Sequence, residues 1–141
     1  MSSKKVAVSA CLLGHKCRYD GGHRKESSLD LEGCEVIPFC PEEKVLGTPR
    51  QTCDLYEGRM IGNESGEDVT EAIEAQAIAL AQSHPDIDEV YLKSKSPSCA
   101  LASAREYDKD GKLMRSDATG IFAKKLKELL PNATFYEKEG K

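Results

Sequence analysis

Apolar and polar positions alternate along this chain in two rhythms, and the rhythms predict its elements. Residues 5–10 (Lys-Val-Ala-Val-Ser-Ala) mix small and β-branched side chains and stop at Leu12-Leu13-Gly14, which predicts a buried strand. A glycine- and charge-rich loop follows over 14–23, then a short helix over about 25–32 that ends at Gly33. Residues 35–39 form a second strand, with Pro38 marking its end. The segment 40–66 is punctuated by Pro41, Gly47, Pro49, Gly58, Gly62 and Gly66 and is too long for a plain connection, which makes it a functional excursion. Within it, Asp54-Leu55-Tyr56 and Arg59-Met60-Ile61 flank Glu57-Gly58 as a small hairpin.

The clearest helical rhythm spans 69–83. Asp68 and Glu71 resemble a capping box, Val69, Ile73, Ala77 and Leu80 form an apolar stripe, and Pro85 ends the element. Residues 89–93 predict a third strand that runs into Lys93-Ser94-Lys95-Ser96-Pro97-Ser98-Cys99. Two extended pieces over 104–115 surround the turn Asp108-Lys109-Asp110-Gly111. A last helix over about 119–130 carries Phe122, Leu126, Leu129 and Leu130 on one face and stops before Pro131, and residues 133–136 predict a final strand. Strands alternating with helices indicate an α/β fold. The expectation is a single domain over 1–141: a mainly parallel, Rossmann-like sheet with flanking helices and an inserted loop and hairpin segment.

Composition narrows the function. A chain of 141 residues buries a real core without staples. Its net charge of −4 gives no basic footprint, so a nucleic-acid backbone is not expected as partner. No run approaches the roughly 18–20 apolar residues that span a bilayer, and the short run after Met1-Ser2-Ser3-Lys4-Lys5 is no signal peptide. The chain reads as soluble and cytoplasmic, where thiols stay reduced and cysteines serve structure, catalysis or metal binding.

Three of the six cysteines follow predicted strands: Cys11 after the first, Cys40 after the second and Cys99 shortly after the third. Carboxyl ends of parallel strands converge on one crevice, so these three are placed to meet as a soft, thiolate-rich site. Thiolates ligate iron–sulfur clusters and structural zinc. The chain has no Cys-x-x-Cys pair and no ferredoxin spacing, so spacing alone leaves both a metal site and buried structural cysteines open. Cys34 and Cys53 read as structural, whereas Cys17 stands as a fourth ligand, a nearby thiol or a loop residue. A site of three thiolates leaves one iron of a [4Fe-4S] cluster open, able to act as a Lewis acid or bind a soft sulfur atom.

Other polar groups accompany these cysteines. Glu42, two residues past Cys40, is the candidate general acid–base, and Glu43 reads as exposed. Arg18, in Arg18-Tyr19-Asp20-Gly21-Gly22, and Arg50, after Pro49, offer planar donor forks to a substrate or to carboxylates. Ser96 and Ser98 are hydrogen-bond donors to substrate or cluster, or caps of their own turn. His15, His23 and His84 have no paired spacing, and no phosphate-binding glycine loop or nucleophile elbow is present.

The ordered motifs Ser9-Ala10-Cys11-Leu12-Leu13-Gly14, Cys17-Arg18-Tyr19-Asp20-Gly21, Cys40-Pro41-Glu42, Pro49-Arg50, Asp68-Val69-Thr70 and Lys93-Ser94-Lys95-Ser96-Pro97-Ser98-Cys99 resemble the thiouracil desulfurase family over roughly residues 5–130. The resemblance implies a [4Fe-4S] cluster on Cys11, Cys40 and Cys99, with Glu42 and Ser96 as the catalytic pair and Arg18, Arg50 and Ser98 binding substrate. It implies removal of sulfur from a small thiolated pyrimidine of the 2-thiouracil type, the sulfur being accepted by the open iron. One departure is Ala100, where the family pattern has glycine after the third cysteine. Two other readings stand beside it: a sulfur carrier that passes sulfide to a partner, and a non-catalytic zinc- or iron-binding structural or sensor module closed by Cys17.

Overall fold

β1 (Lys5–Ser9) is buried along all but its first residue, as a central parallel strand covered on both faces must be. The computed structural model describes residues 4–13, 34–47 and 51–138, without the side chains of Cys11 and Glu43. The predicted loop over 14–23 and helix over 25–32 lie outside the described residues. β1 pairs in parallel with β2 (Glu35–Phe39) on one side and with β5 (Glu89–Lys93) on the other, and β5 pairs in parallel with β8 (Thr134–Lys138). The sheet order is therefore β2-β1-β5-β8. The chain builds outward from β1 first to one side and then to the other, which makes the gap between β1 and β5 a topological switch point.

The α/β expectation holds, but a Rossmann-like description fits only this first sheet. The predicted hairpin is present as β3 (Cys53–Tyr56) and β4 (Arg59–Gly62), turned by Glu57 at φ +48° and Gly58 at φ +81°. Positive φ at both central residues is the twist-matched geometry of a tight hairpin. This hairpin is not a lone insertion: β3 pairs in parallel with β6 (Ala104–Tyr107), which pairs antiparallel with β7 (Leu113–Ala118). A second four-stranded sheet, β4-β3-β6-β7, results.

Three α-helices are described: α1 (Pro41–Leu46), α2 (Thr70–Ser83) and α3 (Ile121–Leu129). α1 falls where the sequence reads as loop, and Pro41 at its first position suits a helix start. At α2, Asp68 Oδ1 accepts from the Thr70 amide at 3.0 Å, but Glu71 does not complete a capping box. Its carboxylate accepts instead from the Arg59 guanidinium at 2.6 Å. One buried cluster joins Ala7, Val90 and Leu92 of the first sheet to Ile73 and Ala77 of α2, Phe122 and Leu126 of α3, and Leu55 and Met60 of the second sheet. Within it Phe39 and Phe122 stack with ring centroids 4.9 Å apart. Val6, Val8 and Leu12 fill the opposite face of the first sheet. Among the described residues no helix is long and apolar enough to cross a membrane.

Candidate active site

The carboxyl ends of β1, β2 and β5 open onto one edge of the parallel sheet, and among the described residues Cys11, Cys40, Glu42, Ser96, Ser98 and Cys99 follow those strands. Ser9, the last residue of β1, is in register with Phe39, the last of β2. A 3-10 turn over Ala10–Leu13 takes the chain on from β1 and contains Cys11. Cys40 follows β2, and its carbonyl accepts the Lys44 amide at 3.1 Å, so Cys40 opens α1 and sets Glu42 in the first turn of that helix. A carboxylate is favoured there by the helix dipole. Cys40 is half-buried and packs on Ala10, the residue before Cys11.

The loop that leaves β5 supplies the other half of the site. Ser98 is fully buried, and its Oγ donates to Glu42 Oε2 at 2.8 Å. Ser96 Oγ also reaches Glu42 Oε2, at 3.2 Å, and stands 3.0 Å from Ser98 Oγ. Ser96 Oγ accepts from the backbone amides of Ser98 (3.2 Å) and Cys99 (3.0 Å), a local side-chain turn that fixes where the hydroxyl sits. Ser98 Oγ lies 3.5 Å from the buried Cys99 sulfur. One carboxylate, two hydroxyls and a thiol therefore share one small volume. Glu42 and Ser96, expected to act as a pair, are in direct contact, and Ser98, expected at the substrate, has its hydroxyl on Glu42.

Helix α3 holds this turn from behind. Its first amides are met by the turn's carbonyls: Ile121 N donates to Pro97 O at 3.0 Å, Ala123 N to Ser98 O at 3.0 Å, and Gly120 N to Ala100 O at 2.7 Å. Ala100, the departure from the family pattern, is wholly buried and is not among the positive-φ residues, so its methyl group is accommodated without backbone strain. Lys95 does have positive φ, +63°, and its amide donates to Ser103 Oγ at 2.7 Å. A cleft of about 220 Å³ opens beside Ser96, lined by Asp54, Lys95, Pro97, Arg105 and Tyr107.

Cys40 and Cys99, two of the three expected ligands, are tied to the same carboxylate: Cys40 through the helix that bears Glu42, Cys99 through Ser98. The third, Cys11, is placed by its backbone at the end of the neighbouring strand. Cysteines that follow three adjoining parallel strands are of the right chemical type for an iron–sulfur cluster. Among the described side chains no three His, Cys, Asp or Glu groups gather around one ion, and the Cys11 side chain is not among them. Arg18, Arg50 and Cys17 lie outside the described residues.

Sequence reasoning missed Gly120, Ser103, Glu137 and the second sheet's contribution to the cleft. Gly120 carries only a weak signal, since glycine is an ordinary helix N-cap. The Glu137 contacts span 34 to 36 residues, a separation at which no local pattern speaks.

Comparisons with known proteins bear on the family and the fold. The solved structure of the [4Fe-4S]-dependent thiouracil desulfidase TudS superposes with a TM-score of 0.68 at 30% identity, covering 96% of this chain and 91% of that one. The uncharacterized protein YbbK of Bacillus subtilis (strain 168) is 34% identical over 110 residues, covering 67% of this chain and 72% of YbbK. A family model for 2-thiouracil desulfurase matches residues 6–138, and the chain belongs to that family.

Proposed function

We propose that this protein is a [4Fe-4S]-dependent desulfidase that converts a small thiolated pyrimidine of the 2-thiouracil type, with water, into the oxygen-bearing base and hydrogen sulfide. The observation that carries this reading is the contact between Glu42 and Ser98, with the Ser98 hydroxyl 2.8 Å from Glu42 Oε2 and 3.5 Å from the Cys99 sulfur. It sets a proton-handling carboxylate next to a thiol suited to iron. Cys11, Cys40 and Cys99 would hold the cluster. When bound, it supplies an open iron that acts as a Lewis acid toward the thiocarbonyl sulfur.

The chain's own residues account for the rest. Glu42 Oε2 takes a proton from the attacking water and passes it to the departing sulfide, so that the water oxygen stays on the base and both water protons leave as hydrogen sulfide, a role that requires a carboxylate within hydrogen-bond reach of the reacting atoms. Ser96 orients that carboxylate and offers its hydroxyl to the substrate. Ser98, buried against Glu42, meets the substrate through that carboxylate. Arg18 and Arg50 supply donor forks for the base carbonyl. The reaction exchanges sulfur for oxygen with no net redox change, and we place it in the cytoplasm, where exposed thiolates stay reduced.

The test is anaerobic reconstitution, assay of iron and acid-labile sulfide, and turnover of 2-thiouracil to uracil. About four irons and four sulfides per chain, with turnover lost in Glu42→Gln while the cluster stays, is the expected result. Zinc alone, or full turnover in Glu42→Gln, overturns the mechanism.

A further inference from the structure

We propose that Glu137 and Ser103 are positioning residues that act through the backbone of Lys95 to aim the Ser96 hydroxyl at Glu42. Glu137 Oε2, on β8, gathers three donors: Leu101 N at 2.7 Å, Ala102 N at 3.1 Å and Ser103 Oγ at 2.7 Å. Ser103 gives its proton to Glu137, so its oxygen is left to accept, and it accepts the Lys95 amide at 2.7 Å. The direction of each bond in the chain follows from the one before.

Lys95 is where this chain meets the site. Its φ of +63° is left-handed, a conformation that a side chain with a Cβ disfavours and that surrounding structure must enforce. β5 ends two residues earlier, at Lys93, and the residue that follows Lys95 in this turn is Ser96. On one side Ser94 N is tied to Lys138 O at 2.8 Å, and on the other Ser96 Oγ receives the amides of Ser98 and Cys99 and faces Glu42. The left-handed turn between these anchors decides the direction in which Ser96 leaves the sheet. Glu137 and Ser103 thus set an angle at Lys95, and Lys95 sets the position of Ser96.

The inference rests on the desulfidase reading for its kinetic arm only. In Ser103→Ala and in Glu137→Ala, kcat for 2-thiouracil is expected to fall about tenfold with KM within about twofold, because the groups assigned to hold the base, Arg18 and Arg50, are unchanged and the alignment of Ser96 with Glu42 is lost. Iron content should not change. Glycine adopts positive φ without strain, so in a Lys95→Gly background the same Ser103→Ala change should cost less than about threefold. Should Glu137→Ala fail to fold, Ser103→Ala, which removes a single oxygen atom, carries the test.

A second measurement needs no turnover. Hydrogen exchange by mass spectrometry on the full chain should show faster exchange over Ser96–Ala100 in Ser103→Ala, and slower exchange again once Lys95→Gly is added. An unchanged kcat, a loss equally large in the Lys95→Gly background, or unchanged exchange at Ser96–Ala100 overturns the proposal. Absence of desulfidase activity in the native protein overturns the functional reading, and the exchange data then still decide the positioning role.

Discussion

Gly120 lies so close to Ser98 that a Cβ carbon there would stand 2.5 Å from the Ser98 carbonyl oxygen and 2.4 Å from its carbon. Both neighbours are backbone, so they yield only if the whole turn moves. Gly120→Ala is therefore expected to displace Ser98 and Cys99 away from Glu42. Overpacking of this kind costs about 1–3 kcal/mol, and thermal unfolding should show it together with a fall in kcat. Unchanged stability and turnover would mean that the contact is looser than the geometry here.

Ser96 and Ser98 touch the same oxygen but carry different duties. Ser96→Ala strands two backbone amides that now donate to its hydroxyl. Leaving such donors unsatisfied costs about 1–3 kcal/mol, so this variant should lose both stability and activity. Ser98→Ala removes the shorter bond to Glu42, at 2.8 Å, and strands no amide through that hydroxyl. Its main loss should be in kcat, about tenfold for a hydrogen bond to a charged group. Equal thermal shifts in the two variants would contradict this division.

Arg59 clamps the start of α2, with Nε 2.8 Å from Asp68 Oδ2 and Nη2 2.6 Å from Glu71 Oε2. Its hydrogen bonds hold the Asp68 carboxyl below its ordinary value of 3.8 and the Glu71 carboxyl below 4.5. A depressed carboxyl stabilises the fold fully above its unfolded value, and the contribution is lost as pH falls through the folded one. Arg59→Met should lower the melting temperature by a constant amount at neutral and mildly acidic pH. That difference should shrink below about pH 4. A difference that grows on acidification would show that other groups dominate the acid limb.

Phe122 is almost wholly buried and stacks on Phe39, the residue before Cys40. Phe122→Ala should cost about 3–5 kcal/mol, read by denaturant unfolding at unchanged slope. A smaller loss would indicate that α3 settles onto β2 and fills the space.

Local signals were readable and distant ones were not. Glu57-Gly58 between two short apolar pieces announces the hairpin because the positive φ angles of the turn are a property of those two residues. The parallel pairing of β3 with β6 joins Leu55 to Glu106, and nothing near either residue points to the other. That is why the second sheet and the cleft beside Ser96 escaped. α1 escaped because six residues that begin with a proline are too few to set a helical period. At α3 the expected stripe holds at Phe122, Leu126 and Leu130, while Leu129, the last residue of the helix, is 41% exposed. Glu42 was legible as an acid–base candidate from its place after Cys40, its pairing with Ser96 came only from the family resemblance, and the short bond from Ser98 to the same oxygen was not legible.

The central pairing of the first sheet has a consequence for how the protein comes into being. β1 is bounded on one side by β5, where Val6 meets Glu89, and β5 is in turn completed by β8, where Lys93 meets Lys138. During synthesis Cys11, Cys40 and Cys99 all leave the ribosome before the strand that bears Glu137. For that interval the loop that carries Ser96 and Cys99 lacks its Glu137 anchor, and pairings this distant in sequence close slowly. The Ser96–Cys99 turn therefore takes its final shape only once β8 has emerged and paired with β5, so the part of the site held by this loop is completed after the part held by β1 and β2.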